Sequence, residues 1–279
     1  MRLCPQQLRD RYHEGRLLPF IGAGVSTSVS WMDADGQTLR GLSWSELVDQ
    51  ATKLLEFDYP ELARVRGTDL QILEYFKLEQ GGQIAKLTNW LSRLMNPPDK
   101  ALATSLIHAE LIALDKCRLF YTTNYDDFLE RAFELLGRKV QVSAIEMQMG
   151  TAHDKSEIIK FHGDLNHPNQ IVLTESDYEK RLAFSTPMDF RLRSDLLGRV
   201  ILFIGYSFRD ANVSYLFRLF TEEFYDKTGG IPGTRAYIVT PDPSSFERKL
   251  FDARRIEVIP ISGRDMAQDI ATLLTEIRS

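Results

Sequence analysis

Cysteine is nearly absent: the 279 residues contain two, Cys4 and Cys117. They form no C-x-x-C pair, so a four-cysteine zinc site within this chain is excluded, and a disulfide does not suit a reducing compartment. Long apolar runs are missing too. No stretch approaches the roughly 18 residues that a membrane helix needs. The opening Met1-Arg2-Leu3-Cys4-Pro5 segment lacks the apolar region of a secretory signal, so the expectation is a cytoplasmic protein with no membrane contact. The histidines, His13, His108, His153, His162 and His167, have no H-E-x-x-H spacing; that removes the metalloprotease reading and nominates no metal ligand. Basic excess is also lacking. Lys and Arg number 34 against 39 Asp and Glu, a net charge of −5, whereas a broad nucleic-acid surface needs the opposite balance. A local basic patch stays open. No repeat, low-complexity tract or interdomain linker interrupts the chain, which reads as one domain over residues 1–279. With 43% hydrophobic and 26% charged residues, it has the make-up of a globular protein with a sizeable core.

What is there begins with Leu17-Leu18-Pro19-Phe20-Ile21-Gly22-Ala23-Gly24-Val25-Ser26, an apolar run of strand length ending in two glycines. Lacking a Cβ, glycine lets the backbone turn tightly and approach a ligand closely. Successive N–H groups in such a turn suit anionic oxygens. Residues 27–42 read as irregular, with a turn at Asp33-Ala34-Asp35-Gly36. Ser43-Trp44-Ser45-Glu46 carries the capping-box pattern, and helix then follows helix to about residue 115. This run over 43–115 reads as a helical insertion placed to cover the mouth of a cleft. Strands resume at 118–123, 140–145, 158–162, 200–204, 235–240 and 256–260. Helices are expected near 126–136, 176–197 (broken near Pro187), 212–225, 246–252 and 265–277. Strands alternating with helices indicate a Rossmann-like α/β fold, a parallel sheet with helices on both faces.

Four strands end in glycine or polar signatures: Gly22-Ala23-Gly24, Thr123-Asn124-Tyr125-Asp126, His162-Gly163-Asp164 and Gly205-Tyr206-Ser207. Ligands of open α/β sheets bind beyond the carboxyl ends of the strands, so the four should converge on one crevice. Gly22 and Gly24, with the Ser26 hydroxyl, are expected to hold a diphosphate, and Gly205 with Ser207 to do so from a second strand. The third glycine of the NAD fingerprint is missing, which disfavours an ordinary hydride-transferring dehydrogenase. His162 is placed to act as a general base near neutral pH. Asn124 can hold a ribose hydroxyl or a water, and Asp126 can accept from an amide or hydroxyl. These parts suit cleavage at the ribose of a dinucleotide, where nicotinamide is already a good leaving group and the transition state resembles an oxocarbenium ion. Plainer roles compete: Asn124 and Asp126 as caps of the following helix, Gly205 as a turn, Asp177-Tyr178 as a helix start, and Trp31, Trp44 and Trp90 as packing. Arg191, Arg193, Arg199 and Arg209-Asp210 read as a solvated or interface face, and His108, His153 and His167 carry no functional case.

Taken together, and with Phe161-His162-Gly163-Asp164-Leu165, Leu173-Thr174-Glu175-Ser176-Asp177-Tyr178 and Phe203-Ile204-Gly205-Tyr206-Ser207-Phe208, these motifs resemble the sirtuin family. They are most similar to the bacterial sirtuin-like domains of antiviral defence, over about residues 15–260. The resemblance implies NAD⁺ as substrate, hydrolysed to nicotinamide and ADP-ribose in an abortive-infection response. It implies Asn124 and His162 as the principal catalytic positions, Asp126 beside the nicotinamide carboxamide, and Gly22, Ala23, Gly24, Ser26, Thr123, Gly205 and Ser207 along the dinucleotide. No zinc is implied. A deacylase's four-cysteine module and Pro-Asp-Phe-Arg stretch are missing, and Thr123 stands where the family has Gln. The alternatives are a zinc-free deacylase or ADP-ribosyltransferase, and a non-catalytic NAD sensor. A homo-oligomer is expected; similar stand-alone domains associate with hexameric HerA-type ATPases or short Argonaute proteins, so control by assembly or by a separate protein is expected.

Overall fold

The computed structural model describes residues 3–55, 60–150, 154–182, 185–207 and 236–279. The expected helix at 212–225, Arg209-Asp210 and His153 lie outside the described residues. Seven strands form one parallel sheet: β1 (Leu17–Ile21), β4 (Leu119–Thr122), β5 (Val140–Ser143), β6 (Ser156–Lys160), β7 (Val200–Ile204), β8 (Ala236–Pro241) and β9 (Ile256–Ile261), in the order β5-β6-β4-β1-β7-β8-β9. From β1 the chain adds β4, passes to the edge strand β5 and comes back to insert β6 between them, then crosses to add β7, β8 and β9 on the other side of β1. That crossing to β7 is the topological switch point, where such sheets open a crevice.

The continuous apolar runs in β1 and β7 follow from burial on both faces, the rule for parallel sheets. Side chains alternate between two cores. Leu17, Ile21, Phe120, Ile158, Leu202 and Ile204 pack against α1 (Gln6–His13), α8 (Leu106–Ala113), α9 (Phe128–Leu135) and α13 (Met266–Arg278). Leu18, Phe20, Tyr121, Ile159 and Phe203 face α11 (Pro187–Leu196) and α12 (Ser245–Ala253). Pro19 sits in the central strand without loss of a ladder bond. Even-numbered positions of β1 bond toward β7, as Gly22 N–H does to Ile204 O, so the missing Pro19 N–H faces β4, whose pairing with β1 starts only at Phe20↔Tyr121.

Residues 27–42 are more ordered than expected. After a short helix α2 (Ala23–Thr27), β2 (Ser30–Met32) and β3 (Thr38–Arg40) pair as an antiparallel hairpin around the Asp33–Gly36 turn. Asp33 Oδ1 accepts from the amides of Asp35 and Gln37 and so shapes that turn. The capping box at Ser43 is present, its hydroxyl accepting from Glu46 N–H and the Glu46 carboxylate from Ser43 N–H. It starts α3 (Trp44–Leu54), which closes with α5 (Asp69–Glu79), α6 (Ala85–Leu94) and α7 (Asp99–Ala103) around a separate apolar cluster of Val48, Leu73, Phe76, Leu87 and Leu91. Phe128, Ile171 and Leu173 join that cluster from the sheet side. Helix α8 instead belongs to the sheet face through Ile107, Leu111 and Ile112. Among the described residues no helix is long and apolar enough to cross a membrane.

On α8, His108 is buried with its Nδ1 2.8 Å from Ser105 Oγ. Burial pulls its pKa from 6.5 down to about 4. Between those values the unfolded chain binds the proton and the folded one does not. Stability is therefore intact above pH 6.5 and falls as the pH drops toward 4, by about 3 kcal/mol from this group. Urea denaturation at pH 7 and pH 4 is expected to show the wild type losing that much more than His108→Gln.

Candidate active site

The loops after β1 and β7 are interlocked at the switch point. Gly22 N–H donates to Ile204 O and Gly24 N–H to Gly205 O, both at 2.8 Å. Gly205 has φ +78°, and a Cβ there would lie 2.7 Å from Val25 N and 2.8 Å from Gly22 O. Backbone meets backbone, so neither side can yield. This differs from the expected cradle: the amides of Gly22 and Gly24 lace the two loops together. Ala23, at the start of α2, is the partly exposed residue between them. Tyr206, which the sequence did not nominate, seals the seam by donating to Ile21 O (2.9 Å) and lying 3.0 Å from Thr123 Oγ1. Its signal was its place between Gly205 and Ser207. Ser207 is exposed.

Asn124 follows β4, and its backbone N–H is fixed by Thr122 Oγ1 at 3.0 Å. Its Nδ2 donates to Gly22 O (3.2 Å) and to Ser26 Oγ (2.9 Å). Because a peptide carbonyl only accepts, the nitrogen must face Gly22. Oδ1 then points the other way as an acceptor, and among the described residues no donor is bonded to it. Ser26 is 1% exposed and donates its own hydrogen to Asp126 Oδ2 at 2.9 Å. It was expected on the phosphate; here it joins Asn124 to Asp126. Asp126 does two jobs, since Oδ1 accepts from Phe128 N–H (3.2 Å) at the start of α9. Burial pushes its carboxyl up, opposed by the Lys160 ammonium and by these two hydrogen bonds.

Asn124, Thr123 and Asp126 line one side of a pocket whose other side is Ser43, Trp44 and Leu47 from the start of α3 and Leu91 and Met95 at the end of α6. Residues from α3 and α6 thus share the lining of this pocket with Asn124. Trp44 is held there by its indole N–H on Asp69 at 3.0 Å.

His162 lies at the same edge of the sheet, two residues past β6, but no described hydrogen bond links it to Asn124, Ser26 or Asp126. It is fully buried between Phe161 and Tyr178, the Tyr178 ring edge-on at 5.3 Å and its hydroxyl 3.5 Å from Nδ1. Nε2 has no partner among the described residues. Burial, and then the Arg181 guanidinium, hold its pKa well below 6.5, so the imidazole is neutral at pH 7. Tyr178 sits on α10 (Glu175–Leu182), and α10 is fastened to α5 by Lys77–Asp177 (3.0 Å) and by Ser176 N–H on Glu74 (3.0 Å). The Asp177-Tyr178 pair is therefore more than a helix start: Asp177 caps through Thr174 and anchors, and Tyr178 covers the histidine. Arg191 on α11 and Arg199, three residues beyond it, both grip Asp195, and Arg191 also grips Glu157, which ties α11 to the sheet. Among the described residues no cluster of His, Cys, Asp or Glu is placed to hold a metal ion.

Comparison with known proteins identifies the family. Residues 118–259, from just before β4 to the middle of β9, match the SIR2-like domain. The chain is 31% identical over 214 residues to the NAD(+) hydrolase ThsA of Enterococcus faecium, covering 75% of this chain and 40% of that protein. With ThsA of Bacillus cereus it shares 29% over 206 residues, 71% of this chain and 38% of the relative. Defense-associated sirtuin 2 of Bacillus subtilis is 23% identical over 258 residues, 88% and 23% of the two lengths. The chain spans about two fifths of the NAD(+) hydrolases it matches. On this match over half of its length, the chain belongs to the SIR2-like domain family.

Proposed function

We propose that the chain cleaves NAD⁺ to nicotinamide and ADP-ribose as an effector of antiphage defence, restrained until it assembles with further copies or a partner protein. The observation that carries this reading is the clamped Asn124 carboxamide at the switch point. Both of its N–H groups are committed, so it offers one oriented acceptor to a hydroxyl of the nicotinamide ribose. The relatives named NAD(+) hydrolase support the same chemistry. The apolar pocket under Trp44 and Leu47 suits the nicotinamide ring.

In this mechanism the bond from ribose C1′ to the pyridinium nitrogen breaks, and its electron pair neutralises the departing nicotinamide. Positive charge passes to C1′ and the ring oxygen. Asn124 holds the ribose in place for the attack, which fixes geometry before the barrier is climbed. Water adds at C1′, and its proton goes to the neutral His162 through Nε2, the unpartnered ring nitrogen. His162 must first be uncovered, since Tyr178 and Phe161 enclose it. That enclosure fits a restrained activity.

Chromatography of NAD⁺ incubations, with and without the protein encoded by the neighbouring gene, tests the reading. Nicotinamide and ADP-ribose are expected in equal amounts, and His162→Ala is expected to lower their release by about 10²-fold or more. Intact NAD⁺ in both incubations, or unchanged turnover in His162→Ala, overturns it.

A further inference from the structure

We propose that Lys160 is a positioning residue for the reaction, holding Asn124 in its productive orientation through Asp126 and Ser26. The inference rests on the NAD⁺-cleaving reading of the site and adds to it a residue group outside the substrate pocket.

Lys160 ends the apolar run Ile158-Ile159-Lys160, and its side chain is fully buried. A buried ammonium persists only where charge and hydrogen bonds compensate its lost hydration. Here Nζ donates to Glu130 Oε1 at 2.7 Å and to the backbone carbonyl of Asp126. A simple structural pair would stop at Glu130. This ammonium instead also holds the backbone of the residue whose carboxylate begins the chain to Asn124. The groups facing the two are Glu130 on α9, Asp164 beyond β6, and Asp127 beside Asp126. One lysine thus stands among several carboxylates, and its field bears on whether Asp126 is ionised.

Ionisation matters because of the hydrogen-bond directions. Both Asp126 oxygens accept, from Phe128 N–H and from the Ser26 hydroxyl. Only a carboxylate without a proton accepts in this way at both oxygens unconditionally. Accepting the Ser26 hydrogen turns the Ser26 oxygen toward Asn124 Nδ2, and that bond keeps Oδ1 facing the pocket. A proton on Oδ2 turns that oxygen into a donor, leaves the Ser26 hydrogen without its acceptor, and loosens the clamp. Burial favours that proton, and the Lys160 ammonium is the first force opposing it.

The test is the pH dependence of kcat for nicotinamide release by the full chain, together with any partner that activates it. Lys160→Met is expected to move the acid limb of kcat upward by about one pH unit, an about tenfold loss on that limb, with KM for NAD⁺ changed much less. Glu130→Gln removes a competing negative charge and is expected to move the limb downward. In an Asp126→Asn background the acid limb that remains is that of the His162 base, and Lys160→Met no longer moves it. A limb that stays in place in both Lys160→Met and Glu130→Gln, even with lowered melting temperatures, overturns the proposal and leaves Lys160 a packing residue. Should Lys160→Met not fold, Glu130→Gln alone decides. A second readout is independent of turnover: slow exchange of the Asn124 side-chain amide protons by NMR, lost in Glu130→Gln and wild type only as Asp126 protonates. If the wild type releases no nicotinamide under any condition, the proposed activity fails, and this exchange profile still decides the relay. Protection of these protons, relative to a free side-chain amide at the same pH, that stays constant across the acid range overturns it.

Discussion

Asn124→Asp is expected to lower kcat/KM for NAD⁺ cleavage by about 10²–10³-fold, the scale seen when one oriented polar group of a catalytic site is lost. The substitution keeps the shape and changes one group. A carboxylate cannot donate, so it meets Gly22 O, which the Asn124 amide contacts at 3.2 Å, as a second acceptor. It also competes with Asp126 for the Ser26 hydrogen. The side chain must turn away from Gly22, and the oxygen offered to the ribose moves with it. Asn124→Ala should lose a comparable factor for a simpler reason, the absence of any acceptor. Because Asn124 is only partly buried, both variants should remain folded by circular dichroism. Near wild-type turnover in either would remove Asn124 from the mechanism.

Gly205→Ala is expected to give the largest loss of stability, about 3 kcal/mol or more, from a positive φ that disfavours any Cβ and from contacts that cannot relax. For a domain of this size that corresponds to a melting temperature lower by roughly 6–12 °C. The added methyl would lie 2.7 Å from Val25 N and 2.8 Å from Gly22 O, which forces apart the β1 and β7 loops whose bonds define the crevice. Gly36→Ala is the matched comparison. Its φ is +77°, but nothing lies within 4 Å of the added Cβ, so only the conformational cost of about 1–2 kcal/mol applies. Equal losses in the two variants would show that the interlock contributes nothing beyond backbone strain.

The parallel sheet and the meeting of strand ends were legible because both leave marks in composition: unbroken apolar runs for β1 and β7, and glycine or polar residues where each run stops. The start of α3 was legible too, from the capping box at Ser43 and the apolar spacing that follows it. Partner choice was not. Nothing in Gly22-Ala23-Gly24 says that two of its amides bond to Ile204 and Gly205, since those partners lie about 180 residues away and are set by strand order. For the same reason Ser26 read as a phosphate ligand, when its nearest acceptor is a carboxylate 100 positions on. His162 read as an open base; the burial that encloses it comes from Tyr178, on a helix placed by contacts to α5. Lys160 was not read from the sequence, because its partners Glu130 and Asp126 lie 30 and 34 positions earlier on another element. The hairpin β2–β3 escaped notice because its strands are three residues long, too short to show alternation.

A structure of the His162→Ala variant with NAD⁺ bound tests the central claim most directly. The nicotinamide ribose is expected at the switch point, with a ribose hydroxyl within hydrogen-bond distance of Asn124 Oδ1 and Asn124 Nδ2 still on Gly22 O and Ser26 Oγ. A dinucleotide bound with its nicotinamide ribose away from Asn124, or an Asn124 amide turned to present its nitrogen, would contradict it.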